Sequence, residues 1–357
     1  MLFRMKQQYL TKLIVSFLLA IPALDAKDTL MEDNMSSQVS NDVCNLSLMY
    51  NESYQYSLPE KILKGFLSGK AFDNPEEYTG EESGRLRLDI NGLYESILET
   101  NPAKENLAII TAGAPGAGKT VKLRQDLEAN ASKGTNYAYI CPDDVCLKNQ
   151  TRTYVADIGS SDESMADRQN AYNKWRPASN AATHLILGNL IREKYAFYFG
   201  STSSGPATGK FFEFLKAQGY TIRLIHVSAP DDVRWGSIQE RDKTFVQTTE
   251  QDVKEKGLLL PQRINDTFLK YADQIEFYYR DDVKQDAVLA ARWLRNEDVS
   301  EFAGTLQILE PKQYEQIKLV HDDAVRVLKK HELLWEDAVE SKSKVSLINF
   351  FELIILG

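Results

Sequence analysis

Gly113-Ala114-Pro115-Gly116-Ala117-Gly118-Lys119-Thr120 fits the spacing GxxxxGK[ST]. Glycines at these positions let successive backbone N–H groups turn inward around a polyphosphate, and a following helix N-terminus adds partial positive charge. Lys119 then reaches the β- and γ-phosphates of a nucleoside triphosphate, and the Thr120 hydroxyl can ligate Mg²⁺. The loop alone does not separate kinases from GTPases or motor ATPases. The bland alternative is a glycine-rich turn that holds nothing. The continuous apolar run Leu107–Ala112 directly before the loop and the helical pattern directly after Lys119 favour a phosphate-binding loop instead.

A second group of reactive types stands in Tyr137-Ala138-Tyr139-Ile140-Cys141-Pro142-Asp143-Asp144. It puts two carboxylates at the end of a short strand, where parallel sheets place their ligands. A carboxylate there can accept the proton of an attacking hydroxyl while cations and Mg²⁺ hold the γ-phosphate. The alternative is that Pro-Asp-Asp starts a turn and caps a helix. No NKxD-like guanine reader and no apolar run ending in Asp-Glu occurs. The three cysteines, Cys44, Cys141 and Cys146, are too few for a disulfide framework, and without paired histidines they read as small buried residues.

These loops need a scaffold. Apolar or β-rich runs recur at Tyr137–Ile140, Tyr195–Phe199, Thr221–Val227 and Gln274–Tyr279. Helical patterns lie between and around them, at Asp89–Glu99, after Lys119, and at Ala178–Glu193, Ala207–Gln218, Pro230–Lys243, Pro261–Ala272 and Pro311–Lys330. Strands alternating with helices predict an α/β fold, a parallel sheet with helices on both faces, extended by helical N- and C-terminal additions.

The composition suits such a protein: 43% hydrophobic, 26% charged, and a net charge of −9. The acidic balance argues against general nucleic-acid binding, which needs a cationic footprint. The first 26 residues read as a secretory signal, with Arg4, Lys6 and Lys12 ahead of the apolar Leu13–Leu24 and small residues at the end. That core is too short to span a bilayer, and so is Val345–Leu356. An uncleaved anchor, or a later start at Met31 or Met35, is the other reading. Residues 27–60 are polar and read as an arm.

Several stretches together resemble the zeta-toxin family of P-loop kinases, over roughly residues 105–285. Ile140-Cys141-Pro142-Asp143-Asp144 is similar to the family's I-x-P-D-x segment, and Lys174-Trp175-Arg176-Pro177-Ala178-Ser179-Asn180 to its Pro-x-Ser-Asn helix start. Leu215-Lys216-Ala217-Gln218-Gly219-Tyr220 resembles its helix–Gly-Tyr–strand turn. Gln239-Glu240-Arg241 and the stretch Gly257 to Pro261 resemble the lid helix and the segment after it.

The resemblance implies roles. Asp143 would be the general base and Arg241 a lid arginine, with Arg234 seven residues earlier on the same helix face. Asp144, Arg176, Ser179, Asn180 and Thr202 would contact substrate, with helix capping the alternative for Ser179 and Asn180. Two positions depart from the family pattern. Gly200 stands where a Glu is usual, and Leu258 where a second lid arginine is usual, leaving Lys254, Lys256 and Arg263 as nearby candidates for that charge. His184 reads as a packed core residue.

The resemblance also implies an activity: ATP- and Mg²⁺-dependent phosphorylation of a small-metabolite hydroxyl. Family members act on UDP-N-acetylglucosamine, and effector relatives on a nicotinamide dinucleotide. A toxin or effector role follows, with a cognate antitoxin or immunity protein as partner and no nucleic acid or stable membrane span. The alternative is a nucleotide-binding effector or pseudokinase acting through a protein partner. The expected division is a signal peptide (1–26), a polar arm and helical region (27–104), the kinase domain (105–285) and a helical C-terminal region (286–357). The leader implies export and action in a target-cell cytosol; a later start implies a cytoplasmic protein.

Overall fold

The computed structural model describes residues 43–44, 78–159, 164–205, 207–241, 250–296 and 304–336, all within one compact unit, Val43–Gly357. The expected leader, the polar arm apart from the buried Val43 and Cys44, and the 345–356 apolar patch lie outside the described residues.

Helix α1 (Gly80–Glu99) starts at a capping box. The Thr79 hydroxyl accepts from the Glu82 N–H at 3.2 Å, and the Glu82 carboxylate accepts from the Thr79 N–H at 2.9 Å. Strand β1 (Leu107–Ala112) leads through the glycine loop into α2 (Lys119–Ala131), then β2 (Ala138–Ile140). A single turn, Pro142–Asp144, runs on into a π-turn, Val145–Asn149. Next come α3 (Met165–Arg192), β3 (Phe197–Phe199), α4 (Ala207–Ala217), β4 (Thr221–Ser228), α5 (Asp231–Arg241) and α6 (Glu250–Leu258). A helical stretch from Leu260 to Tyr271 precedes β5 (Gln274–Tyr279), β6 (Val288–Arg295), β7 (Gly304–Ile308) and α7 (Pro311–Glu336).

One sheet holds all seven strands in the order β2-β3-β1-β4-β5-β6-β7, the first five parallel and β6 and β7 antiparallel. The pleat sends alternate side chains of β1 into two apolar layers. Ile109 packs with Leu123 of α2 and Val233 of α5. Ala108 and Ile110 join Leu185 and Ile186 of α3, Phe212 of α4 and Ile317 of α7. This burial on both faces explains why the central strands read as unbroken apolar runs.

Two sequence expectations change. The region 286–357 is helical only from Pro311, because β6 and β7 extend the sheet first. Arg292 points its charge to the buried Glu276 on β5, at 3.4 Å, so an inward cation hides the strand's alternation. Gly304 begins β7 under Trp293, whose ring would lie 2.2 Å from any Cβ there. Helix α3 also starts earlier than expected. The Ser164 hydroxyl accepts from the Asp167 N–H at 3.2 Å, and Pro177 sits inside the helix rather than at its start.

Candidate active site

The glycine loop packs against β4 and α5 with no room for side chains. A Cβ on Gly113 (φ 140°) would lie 2.3 Å from the Val227 carbonyl oxygen, and one on Gly116 (φ 79°) 2.2 Å from that of Arg234. Gly118 (φ 100°) caps α2 without a side-chain acceptor, so the first-turn N–H groups stay available to an anion. This cradle and donor set fit a polyphosphate, and the Thr120 hydroxyl on the same cleft fits its Mg²⁺.

The cleft above the loop has a volume of about 800 Å³. Lys119, Thr120, Asp143, Arg176, Asn180, Thr202 and Arg241 all line it, so the structure brings these expected residues together. The Lys119 ammonium donates to the Ala114 carbonyl at 2.9 Å, folded over its own loop. Burial pushes its pKa down to about 8; Asp143 and Cys141 partly offset this, while Arg234 and Arg241 add to it.

Arg176 organises the opposite wall. Its Nη2 donates to Asp143 Oδ1 at 2.8 Å, and its Nη1 donates to Ser179 Oγ at 2.9 Å and Asn180 Oδ1 at 2.7 Å. Burial works against the guanidinium charge, but Asp143 and Tyr172 outweigh it and raise its pKa. Asp143 itself stays 45% exposed, open to the cleft.

Three expected site residues are placed differently. Asp144 turns to the other side of the Pro142–Asp144 turn, where Arg124 (2.8 Å), Lys148 (2.8 Å) and the Tyr139 hydroxyl (2.5 Å) hold it. Burial opposes its charge, and those hydrogen bonds more than compensate, lowering its pKa. It does not line the cleft. Arg234 is buried with its Nη1 on the Val253 carbonyl at 2.6 Å and its Nη2 on Asp231, so it ties α5 to α6 rather than facing a phosphoryl group. Ser179 is fully buried and touches Arg176, not the cleft.

Of the three candidates for a second lid cation, only Lys256 lines the cleft. Lys254 pairs with Glu250 at 2.9 Å, and Arg263 with the Ser204 carbonyl and Asp266. Sequence reasoning missed Arg280 and Tyr172. Arg280 follows β5 and donates to Ser237 Oγ at 3.0 Å, beside Gly118. A cation at the carboxyl end of a central strand was the signal for it. Gly200 has no space for the expected Glu: a Cβ would lie 2.7 Å from Cys141 Sγ. His184 is half-buried, edge-on against Phe199 and Phe211, and desolvation lowers its pKa to about 4, as suits a packing residue.

The zeta toxin family model matches residues 94–270, which include the glycine loop, the Asp143 turn and α5. The chain carries a zeta-toxin domain. No curated protein matches the chain in sequence. Among solved structures, a chain of the AvrRxo1-ORF1:AvrRxo1-ORF2 complex with ATP is 14% identical, with a TM-score of 0.48 over 68% of this chain and 74% of that one. The native AvrRxo1-ORF1:AvrRxo1-ORF2 complex gives 13% identity and the same score and coverage. A chain of the PezAT toxin–antitoxin system of Streptococcus pneumoniae is 15% identical, with a TM-score of 0.42 over 71% of this chain and 98% of that one. The zeta-toxin match here includes only the last six residues of α1, all of β1 to β4, and the turn carrying Asp143.

Proposed function

We propose that this protein is an ATP- and Mg²⁺-dependent kinase that phosphorylates a hydroxyl of a small metabolite, acting as a toxin or effector. The observation that carries the reading is one cleft lined by Lys119 and Thr120 on one wall and Asp143 on the other, with Arg241 on the lid helix.

The loop N–H groups and Lys119 bind the β- and γ-phosphates. Thr120 would hold Mg²⁺, which when bound offsets phosphate charge. Asp143 takes the proton from the acceptor hydroxyl as its oxygen attacks the γ-phosphorus and the bond to the β-bridging oxygen breaks. Arg176 fixes the carboxylate's direction. Arg241 and Lys256 approach from the lid side and counter the charge that spreads over the moving phosphoryl group. The acceptor is a nucleotide sugar such as UDP-N-acetylglucosamine or a nicotinamide dinucleotide. Mass spectrometry of a cell metabolite extract incubated with protein and ATP tests this. A single metabolite gaining one phosphoryl group, with none gained with Lys119→Ala, is the expected outcome.

A second reading draws on Gly200, where Cys141 leaves no room for the substrate-side Glu. In it the protein binds ATP and acts through a partner. ATP binding without any phosphorylated metabolite would favour that reading.

A neutralising antitoxin or immunity partner fits either reading, and co-expression that relieves toxicity would show it. No helix among the described residues is long and apolar enough to cross a membrane. The leader would direct export, with action in a target-cell cytosol. A reporter fused after residue 40 and retained in the producing cell's cytoplasm would overturn that route.

A further inference from the structure

Arg176, which holds the base, is preceded directly by a residue with an unusual set of anchors. Trp175 is fully buried, and its indole N–H donates to Asp157 Oδ2 at 2.7 Å. Tyr78, just ahead of α1, stacks on the indole with ring centroids 4.9 Å apart and planes 12° apart. The Tyr78 hydroxyl donates to the Lys174 carbonyl at 2.8 Å, gripping the same turn of α3 through its backbone.

Further contacts join α1 to that turn. The Lys174 ammonium pairs with Glu82 of α1 and lies 3.7 Å from Asp157. Arg85 of α1 reaches Asp157 Oδ1 at 3.4 Å and the Arg152 carbonyl at 2.7 Å. One turn of α1 further on, Asp89 accepts from the Arg152 N–H and the Thr151 and Thr153 hydroxyls. The 151–157 segment that carries Asp157 is thereby bound to α1 at two points.

We infer that the strap Tyr78–Trp175–Asp157, braced by α1, positions Arg176 and, through it, Asp143. The physical argument concerns leverage. Arg176 spans three acceptors at 2.7–2.9 Å, so its reach to Asp143 depends on the rotation of the α3 turn that carries it. Side-chain packing alone leaves a helix turn free to adjust. A stacked, hydrogen-bonded indole on the neighbouring residue does not, because turning it would leave a buried N–H without a partner. Asp157 and Tyr78 are thus positioning residues that touch neither nucleotide nor acceptor.

The inference rests on Asp143 acting as base, and its test separates the two. Asp157→Leu, Asp157→Asn and Tyr78→Phe are made alone and with Arg176→Ala. Turnover of γ-labelled ATP is measured with cell metabolite extract as acceptor source, affinity with a fluorescent ATP analogue, and folding by thermal denaturation. Asp157→Leu is expected to lower turnover on the order of tenfold with the analogue's affinity unchanged. Asp157→Asn, which keeps an acceptor oxygen for the indole, restores most of it. In the Arg176→Ala background Asp157→Leu costs nothing more, the non-additivity expected of residues acting through one another. Additive losses would overturn the inference, and Tyr78→Phe repeats the cycle if Asp157→Leu does not fold. An activity-independent arm follows the ¹⁹F resonance of 5-fluorotryptophan at Trp175, assigned with Trp175→Phe. Asp143→Ala should move it, and an unmoved resonance overturns the strap even if wild-type protein turns over no ATP.

Discussion

Arg176 Nη2 lies 2.8 Å from Asp143 Oδ1, and the same guanidinium is held by Ser179 and Asn180 one turn along α3. The pair makes a carboxylate with one oxygen fixed and its other side open to the cleft. Such an arrangement sets direction, which matters because a misplacement of about 1 Å in a reacting group costs on the order of 100-fold in rate. Arg176→Ala should therefore lower turnover by about that factor while ATP affinity stays within about twofold. Steady-state kinetics beside equilibrium ATP titration checks both, and a loss confined to ATP affinity would assign Arg176 to nucleotide binding instead.

Lys119 provides a pH signature. Burial lowers its pKa to about 8, so in the free protein the ammonium loses its proton as pH rises through 8, whereas bound phosphates hold it charged. ATP affinity should fall by about tenfold between pH 7 and pH 9, with proton uptake on binding at pH 9. Calorimetry in buffers of different ionisation enthalpy measures the uptake. Lys119→Ala should bind weakly at both pH values with no uptake.

The two arginines of α5 should separate cleanly. Arg241 faces the cleft, and Arg241→Ala should reduce turnover on the order of 100-fold or more without changing the melting temperature. Arg234 bonds the Val253 carbonyl and Asp231 out of the cleft, and Arg234→Met should destabilise the fold by about 1–3 kcal/mol. Thermal denaturation and turnover measured on the same preparations distinguish them. A reversed pattern would return the catalytic role to Arg234.

Gly200 and Cys141 are coupled by contact. Gly200→Ala places a methyl 2.7 Å from Cys141 Sγ and 2.9 Å from its Cβ, which should cost about 1–3 kcal/mol through overpacking. Gly200→Glu should destabilise further and should not raise turnover. A Gly200→Glu protein that is stable and more active would show that the site tolerates the side chain usual at that position.

Much of this architecture was legible from residue order alone. The five parallel strands read as apolar runs because both faces of the sheet are covered, and the glycine loop was fixed by close backbone approach to Val227 and Arg234. The failures have specific causes. Strand β6 hid behind Arg292, whose partner Glu276 lies on a neighbouring strand, and the start of α3 hid behind Pro177. Asp143 and Asp144 are adjacent and alike, and only the turn geometry sends one to the cleft and the other to Tyr139, Arg124 and Lys148. Arg234 and Arg241 share a helix face, yet α6 packs against the first and leaves the second on the cleft. Periodicity gives a face; what covers that face is a tertiary fact.

The central claim is that Asp143 is the base opposite the phosphate loop. Its most direct test compares wild type, Asp143→Ala and Asp144→Asn for γ-phosphoryl transfer from labelled ATP into a metabolite extract, with ATP affinity measured in parallel. The account predicts that Asp143→Ala binds ATP like wild type and loses transfer by about 10²–10⁴-fold, while Asp144→Asn keeps most of it. Full transfer by Asp143→Ala, or its loss in Asp144→Asn alone, would contradict it.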